Sequence, residues 1–184
     1  MSKTIFIVHG SFGSPDENWI PWLKKQLVEK GYEVVVPTFP TPEKQSLDNW
    51  MEAFLPYKEK VTSESIFVAH SIGPAFVIDM LSEWNLNVAK CCFVAGFYTL
   101  LNNEVVDPVN KTFFVDNFDW NKIKGLVGEA SCFYSDNDPY VPQLVAEWLA
   151  DRLNAKKVLI SGGKHLNAGA GFTQFPELLE EIIK

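Results

Sequence analysis

The chain has 184 residues, 47% of them apolar and 21% charged, which is enough for one domain with a sizeable core. A net charge of −7 without any basic stripe argues against nucleic acid and anionic membrane surfaces as partners. No apolar run nears the ~20 residues of a bilayer span, and Ile5–Val8 is too short for a signal-peptide core, so a cytoplasmic location is expected. Cys91, Cys92 and Cys132 are odd in number, lie in strand-like runs and lack C-x-x-C spacing, which predicts reduced, buried thiols.

Strands alternate with helices from the first residues. Thr4–Val8 is a short apolar strand, followed by the loop His9-Gly10-Ser11-Phe12-Gly13-Ser14-Pro15. Trp19–Lys30 carries Trp19, Trp22, Leu23 and Leu27 at helical spacing, with Gly31 as its stop. Tyr32–Val36 reads as a second strand, and Pro37, Pro40 and Pro42 mark a loop. Ser46–Phe54 reads as a helix that Pro56 ends or kinks. Ile66–Ala69 has the length and β-branched content of a buried strand, and Phe76–Trp84 has helical spacing. Val88–Ala95 is the fourth strand. Phe97–Lys124 breaks the alternation. It is long, polar and aromatic, and only Trp120–Lys124 looks helical, so it is either a binding loop or a surface excursion. A strand over Glu129–Ser135, a helix over Pro142–Leu153, a strand over Lys156–Ile160 and a helix over Phe175–Ile183 follow.

No repeat or linker divides the chain, so residues 1–184 are expected to form a single domain. Six strands separated by helices predict an α/β protein with a parallel sheet covered on both faces. Such sheets bind ligands outside the carboxyl ends of their strands.

Ser71 stands on the turn between the third strand and its helix, with the small residues Ala69 and Gly73 two positions to either side. That is the spacing of a nucleophile elbow, where a sharp turn lifts a serine to the edge of the sheet. A surface serine capping the helix fits the same residues. Asp136 and Asp138 follow the fifth strand and His165 the sixth. The order Ser, Asp, His is that of the α/β-hydrolases. The serine needs an imidazole to take its proton, and the imidazole needs a carboxylate to orient it. Of the three histidines, His70 adjoins Ser71 and should point away from it, and His9 lies in the first loop. Only His165 follows the aspartates. Both aspartates are available. Asp138-Pro139, at a turn before the helix near Pro142, is preferred to Asp136. The glycine-rich first loop can aim N–H groups at an oxyanion, so Ile72 N–H and either Ser11 or Phe12 N–H are the expected donors. That loop contains no G-x-G-x-x-G, and no Gly-Lys-Ser/Thr P-loop occurs in the chain.

These stretches resemble the small serine hydrolases of the YdeN type, the group that includes retinoblastoma-binding protein 9. The likeness runs through His9-Gly10-Ser11, Trp19 to Leu23, Ala69-His70-Ser71-Ile72-Gly73, Trp120 to Ile123, Ser135 to Pro142, and His165. The resemblance implies a minimal α/β-hydrolase fold: a three-layer α/β/α sandwich with six strands in the order 2-1-3-4-5-6 and no large cap domain. It also implies that Asp138, the second aspartate of its loop, is the triad member. Ala69 stands where the elbow more often has glycine. The L-x-C-x-E motif is absent, so the retinoblastoma protein is not implied as a partner.

The expected activity is cleavage of a carboxylic ester or related acyl bond by Ser71, His165 and Asp138 through an acyl-enzyme. Such a carboxylesterase-like serine hydrolase takes a small-molecule acyl substrate and needs no metal or organic cofactor. Phe97–Trp120 and Pro37–Pro42 are expected to shape the pocket. Their aromatic content points to a small apolar acyl group. The alternative is a binding or scaffold protein on the same fold, which a serine-directed probe distinguishes.

Overall fold

A computed structural model describes residues 3–115 and 118–184. Strands β1 (Thr4–Val8), β2 (Glu33–Val35), β3 (Ile66–His70), β4 (Lys90–Val94), β5 (Glu129–Tyr134) and β6 (Lys156–Leu159) form one parallel sheet in the order β2-β1-β3-β4-β5-β6. The helices are α1 (Ile20–Glu29), α2 (Leu47–Phe54), α3 (Gly73–Trp84), α4 (Asp107–Asn110), α5 (Trp120–Leu126), α6 (Gln143–Leu153) and α7 (Pro176–Ile183).

The two-residue period of a strand divides the core into two layers. Phe6 and Val8 of β1, Phe67 and Ala69 of β3, and Cys91 and Phe93 of β4 face one cluster, shared with α2, α3, α5 and α6. Ile5 and Ile7, Ile66 and Val68, and Cys92 and Val94 face the other, shared with α1 and α7. Strands buried on both faces have to be apolar throughout, which is why β1, β3 and β4 read as short continuous runs. Helix α3 is buried from Gly73 to Leu81, as the central helix of its layer. The three cysteines are free and buried in these strands, and burial pushes the thiols of Cys92 and Cys132 up to about 11 and about 12. Among the described residues, no helix is long and apolar enough to cross a membrane.

The chain leaves β1 for the edge strand β2, then returns past β1 to β3. Strand order therefore reverses between β1 and β3, and the loops after these two strands face each other across the switch point. Phe97–Lys124 is more regular than its composition indicates. It contains α4 and a turn of 3₁₀ helix at Lys111–Phe113, while residues 116–117 within it lie outside the described part. Asp107 nucleates this structure by accepting the Leu101 and Asn103 N–H groups at 2.9 and 3.0 Å.

Candidate active site

Ser71 follows β3 with φ = 60°, a left-handed backbone unfavourable for any residue with a Cβ. The neighbouring strand holds it there: Ser71 N–H donates to the Val94 carbonyl at 2.9 Å. Helix α3 starts two residues later. A Cβ on Gly73 would lie 3.0 Å from Val8 Cγ1 and 3.1 Å from the Val8 carbonyl oxygen. The crowding that calls for a small residue thus comes from the end of β1, over which the first turn of α3 passes, rather than from β3 itself. Gly10, in the loop after β1, is closer still. A Cβ there would lie 2.7 Å from Ser71 Cβ and 3.3 Å from Ser71 Oγ.

His165 reaches Ser71 from the loop after β6. Its Nε2 lies 3.2 Å from Ser71 Oγ, and its Nδ1 lies 2.8 Å from Asp138 Oδ2. A carboxylate can only accept, so Nδ1 carries the proton and Nε2 faces the serine as an acceptor. The His165 and Asp138 side chains are only 10% and 3% exposed, so water scarcely competes for this contact. Asp138 Oδ1 accepts the Tyr140 and Val141 N–H groups at 2.8 and 3.1 Å, which fixes the carboxylate. Asp136 is elsewhere. It accepts from Gly162 N–H and the Ser161 hydroxyl, both at 2.8 Å, and these bonds hold its carboxyl below the usual carboxylate range. It pins the loop that carries His165 without touching the imidazole. Ser135 Oγ, donating to the Lys164 carbonyl at 2.6 Å, and Asn137 Oδ1, accepting Lys164 N–H at 2.8 Å, do the same.

Ser71 and His165 open into a cavity of about 510 Å³ bordered by Ser11, Phe97, Val106 and Tyr140. Among the described residues, no group of three or more His, Cys, Asp or Glu side chains is placed to hold a metal ion. A family model described as serine hydrolase matches residues 5–183. The chain belongs to the serine hydrolase family. YdeN of Bacillus subtilis (strain 168) is 27% identical over 179 residues, 96% of this chain and 92% of that protein. The crystal structure of the B. subtilis ydeN gene product superposes with a TM-score of 0.92 at 25% identity, over 99% of this chain and 97% of that one. Serine hydrolase RBBP9 of Rattus norvegicus is 24% identical over 179 residues, 96% of this chain and 91% of its own. Est1E from Butyrivibrio proteoclasticus, solved with ferulic acid bound, shares the fold at a TM-score of 0.70 and 15% identity, covering 99% of this chain and 90% of that one.

In this serine hydrolase the other two histidines are structural. Residue parity puts His70 on the α1/α7 face with Ile66 and Val68. Its Nε2–H donates to the His165 carbonyl at 3.0 Å, and Trp19 Nε1–H donates to the next carbonyl, that of Leu166, also at 3.0 Å. His70 does point away from Ser71, as expected. Its role beneath the His165 loop carried no sequence signal, because its partner lies 95 residues on. His9 donates from Nδ1 to the Gly10 carbonyl at 2.9 Å and accepts Phe39 N–H on Nε2 at 3.1 Å. Burial lowers the pKa of both rings, that of His70 to about 3.

Those two rings contribute to the pH dependence of stability. Between about 3 and the unfolded value of 6.5, the unfolded chain binds a proton at His70 that the folded chain does not. The contribution of His70 to stability therefore falls as pH drops through that window, by about 1.4 kcal/mol per pH unit. Buried Asp79, its carboxyl raised to about 8, acts in the opposite sense over the same range, so the His70 contribution is read as a difference: in melting curves recorded from pH 7 to 4 the stability of the wild type should lose about one proton more of slope than that of His70→Asn. A slope unchanged in that variant would refute the assignment.

The expected oxyanion donors divide. Phe12 N–H is already donated to Thr41 Oγ1 at 2.7 Å, which removes Phe12 as a donor. Ile72, at the amino end of α3, and Ser11 have no backbone N–H bond among the described residues, and Ser11 borders the cavity. A buried polar network holds that loop. Ser11 Oγ donates to Asn110 Oδ1 at 2.7 Å, and Gln45 Nε2 donates to Ser11 Oγ at 2.7 Å and to Asn110 Oδ1 at 2.6 Å. Thr41 Oγ1 donates to Gln45 Oε1. The loop 37–42 therefore braces the loop after β1 and does not line the cavity. Phe97 borders the cavity, but the other aromatic residues of Phe97–Lys124 serve elsewhere. Phe113 is core, and Phe114, Phe118 and Trp120 line a separate groove with Trp148, so the wall beside Ser71 is mainly aliphatic.

Proposed function

We propose that this protein cleaves carboxylic esters or related acyl bonds with Ser71 as nucleophile, His165 as general base and acid, and Asp138 as the orienting carboxylate. The observation that carries this reading is the continuous contact from Asp138 Oδ2 through both ring nitrogens of His165 to Ser71 Oγ, 2.8 and 3.2 Å, opening into a cavity at the switch point of the sheet. Ser71 Oγ attacks the acyl carbon while its proton passes to His165 Nε2. The carbonyl oxygen gains the negative charge and is met by Ile72 and Ser11 N–H, at the positive end of α3. When the intermediate collapses, the bond to the leaving atom breaks and His165 returns its proton to that atom. The acyl group stays on Ser71. A water then gives one proton to His165 as its oxygen attacks the acyl-enzyme; the bond to Ser71 Oγ breaks, His165 returns the proton to Oγ, and the carboxylic acid leaves. Asp138 keeps the Nδ1–H tautomer and offsets the charge on the imidazolium. On this reading the turn at Ser71 is a nucleophile elbow.

A fluorophosphonate tests the assignment directly, because a serine with a base at its side reacts and ordinary serines do not. Folded protein should take up one label, on Ser71, and Ser71→Ala should take up none. A label on another serine, or none at all, would overturn the nucleophile and favour a binding protein on the same fold.

A further inference from the structure

The network that holds the loop after β1 has a direction, because each of its groups can play only one part. Gln45 Oε1 can only accept, so Thr41 gives it the hydroxyl proton and takes Phe12 N–H on Oγ1. Gln45 Nε2 can only donate, and it does so twice, to Ser11 Oγ and to Asn110 Oδ1. Asn110 Oδ1 can only accept, so the Ser11 proton goes there as well. The Ser11 hydroxyl thus gives one bond and takes one within the protein. Its side chain is an anchor, and its N–H is the group left for the cavity. Gln45 and Asn110 are both buried. Asn110 Nδ2 has no partner among the described residues, so the polar use of this amide is its oxygen, which takes two bonds.

Resting on the proposed Ser71 hydrolysis, we propose that Gln45 and Asn110 are positioning residues of the oxyanion hole: through the Ser11 hydroxyl they hold the Ser11 N–H where negative charge develops on the substrate. Neither touches the reacting atoms. Asn110 closes α4, and its N–H donates to the carbonyl of Val106, which borders the cavity, at 3.2 Å. Leu47 N–H donates to Thr112 Oγ1 at 3.0 Å and stitches the same segment to the start of α2. The loop that offers the donor and the segment that forms the aliphatic wall are therefore braced as one body. A donor aimed in advance stabilises the oxyanion without having to reorganise during the reaction.

Three variants test this with 4-nitrophenyl butanoate as substrate. Asn110→Leu and Gln45→Met are near-isosteric and cannot make these bonds. Ser11→Ala keeps the N–H, drops the anchor, and changes a half-buried side chain. Each should lower kcat by about tenfold to 10²-fold, less than the ~10²–10³-fold that follows outright loss of a donor. Acylation and deacylation both pass through an oxyanion and should slow together, so KM should change by less than about threefold. A trifluoromethyl ketone supplies the readout that a merely structural role would not move. Ser71 adds reversibly to its carbonyl, passing the proton to His165 and leaving a negative oxygen at the Ile72 and Ser11 N–H groups. Its Ki should rise in each variant by the factor by which kcat/KM falls, while the pH profile of kcat/KM keeps its shape. Melting curves show which variants are folded, and Ser11→Ala and Gln45→Met decide the matter if Asn110→Leu is not. Folded variants with wild-type kcat, or with lowered kcat and unchanged ketone affinity, would overturn this inference and leave the Ser71 reading intact. No turnover and no fluorophosphonate label in the wild type would remove both.

Discussion

Asp138→Asn should lower kcat by about 10⁴-fold while the protein stays folded, and Asp136→Asn should cost only a few-fold. The two side chains are chemically identical and two residues apart, so the contrast isolates position. Asp138 Oδ2 meets His165 Nδ1, and an amide there can present its NH₂ to the ring. That arrangement favours the tautomer with the proton on Nε2, which leaves Ser71 facing a donor where it needs an acceptor. The Tyr140 and Val141 N–H groups on Oδ1 still have an oxygen to bind, so the turn before α6 survives. At position 136 an amide oxygen can keep one of the bonds to Ser161 and Gly162, and the imidazole loses nothing directly. Steady-state kinetics on both variants, with melting curves as the check on folding, decide the matter. Effects in the reverse order would transfer the role to Asp136.

Gly10→Ala should cost about 10²-fold in kcat, more than its size suggests. The new methyl would meet Ser71 Cβ at 2.7 Å, far inside ordinary contact, and neither atom sits at the end of a flexible chain. Something has to move. Ser71 is held by its N–H bond to Val94, and Gly10 lies beside His9, whose ring is bonded on both nitrogens. A displacement of about 1 Å between nucleophile and base is enough for ~10²-fold in rate. Gly73→Val is the companion variant. There the obstruction is the backbone of β1, so stability should fall by about 1–3 kcal/mol along with activity, whereas Ala69→Gly should leave activity nearly intact. A Gly10→Ala enzyme with unchanged kcat, or a normally stable and active Gly73→Val enzyme, would show that the turn does not position Ser71 for reaction.

The elements were readable because strands buried on both faces must be apolar runs and because helices between them repeat every three to four residues. The meeting of Ser71, Asp138 and His165 was readable because each stands at a strand end, where the topology brings them to one edge. The strand order came from the family resemblance, since alternation alone does not say where β1 and β2 lie. What stayed hidden depends on partners distant in the chain. Gln45 and Asn110 are 65 residues apart and Ser11 and Asn110 are 99 apart, and nothing local distinguishes them from solvated amides. The loss of Phe12 as a donor turned on one hydroxyl, that of Thr41. The aromatic residues near Phe114 resemble pocket wall in the sequence because composition marks a residue as apolar without saying which side it faces.

Left-handed backbone at residues other than glycine surrounds the site: Ser71 at φ = 60°, Ala95 at 48°, Lys164 at 48° and Leu166 at 50°. Each is worth about 1–2 kcal/mol against the fold, and a glycine at any of them would relieve it. In evolutionary terms the exposed Lys164 is where selection for stability and selection for catalysis oppose one another, whereas Leu166 also fills the core and glycine there would lose its burial. Glycine at 164 would relax the turn on which His165 is held, and the same relaxation would let the imidazole wander from Ser71. A search for more robust forms of this enzyme therefore belongs in the helices and in the amino ends of the strands, away from the edge where the strain is kept.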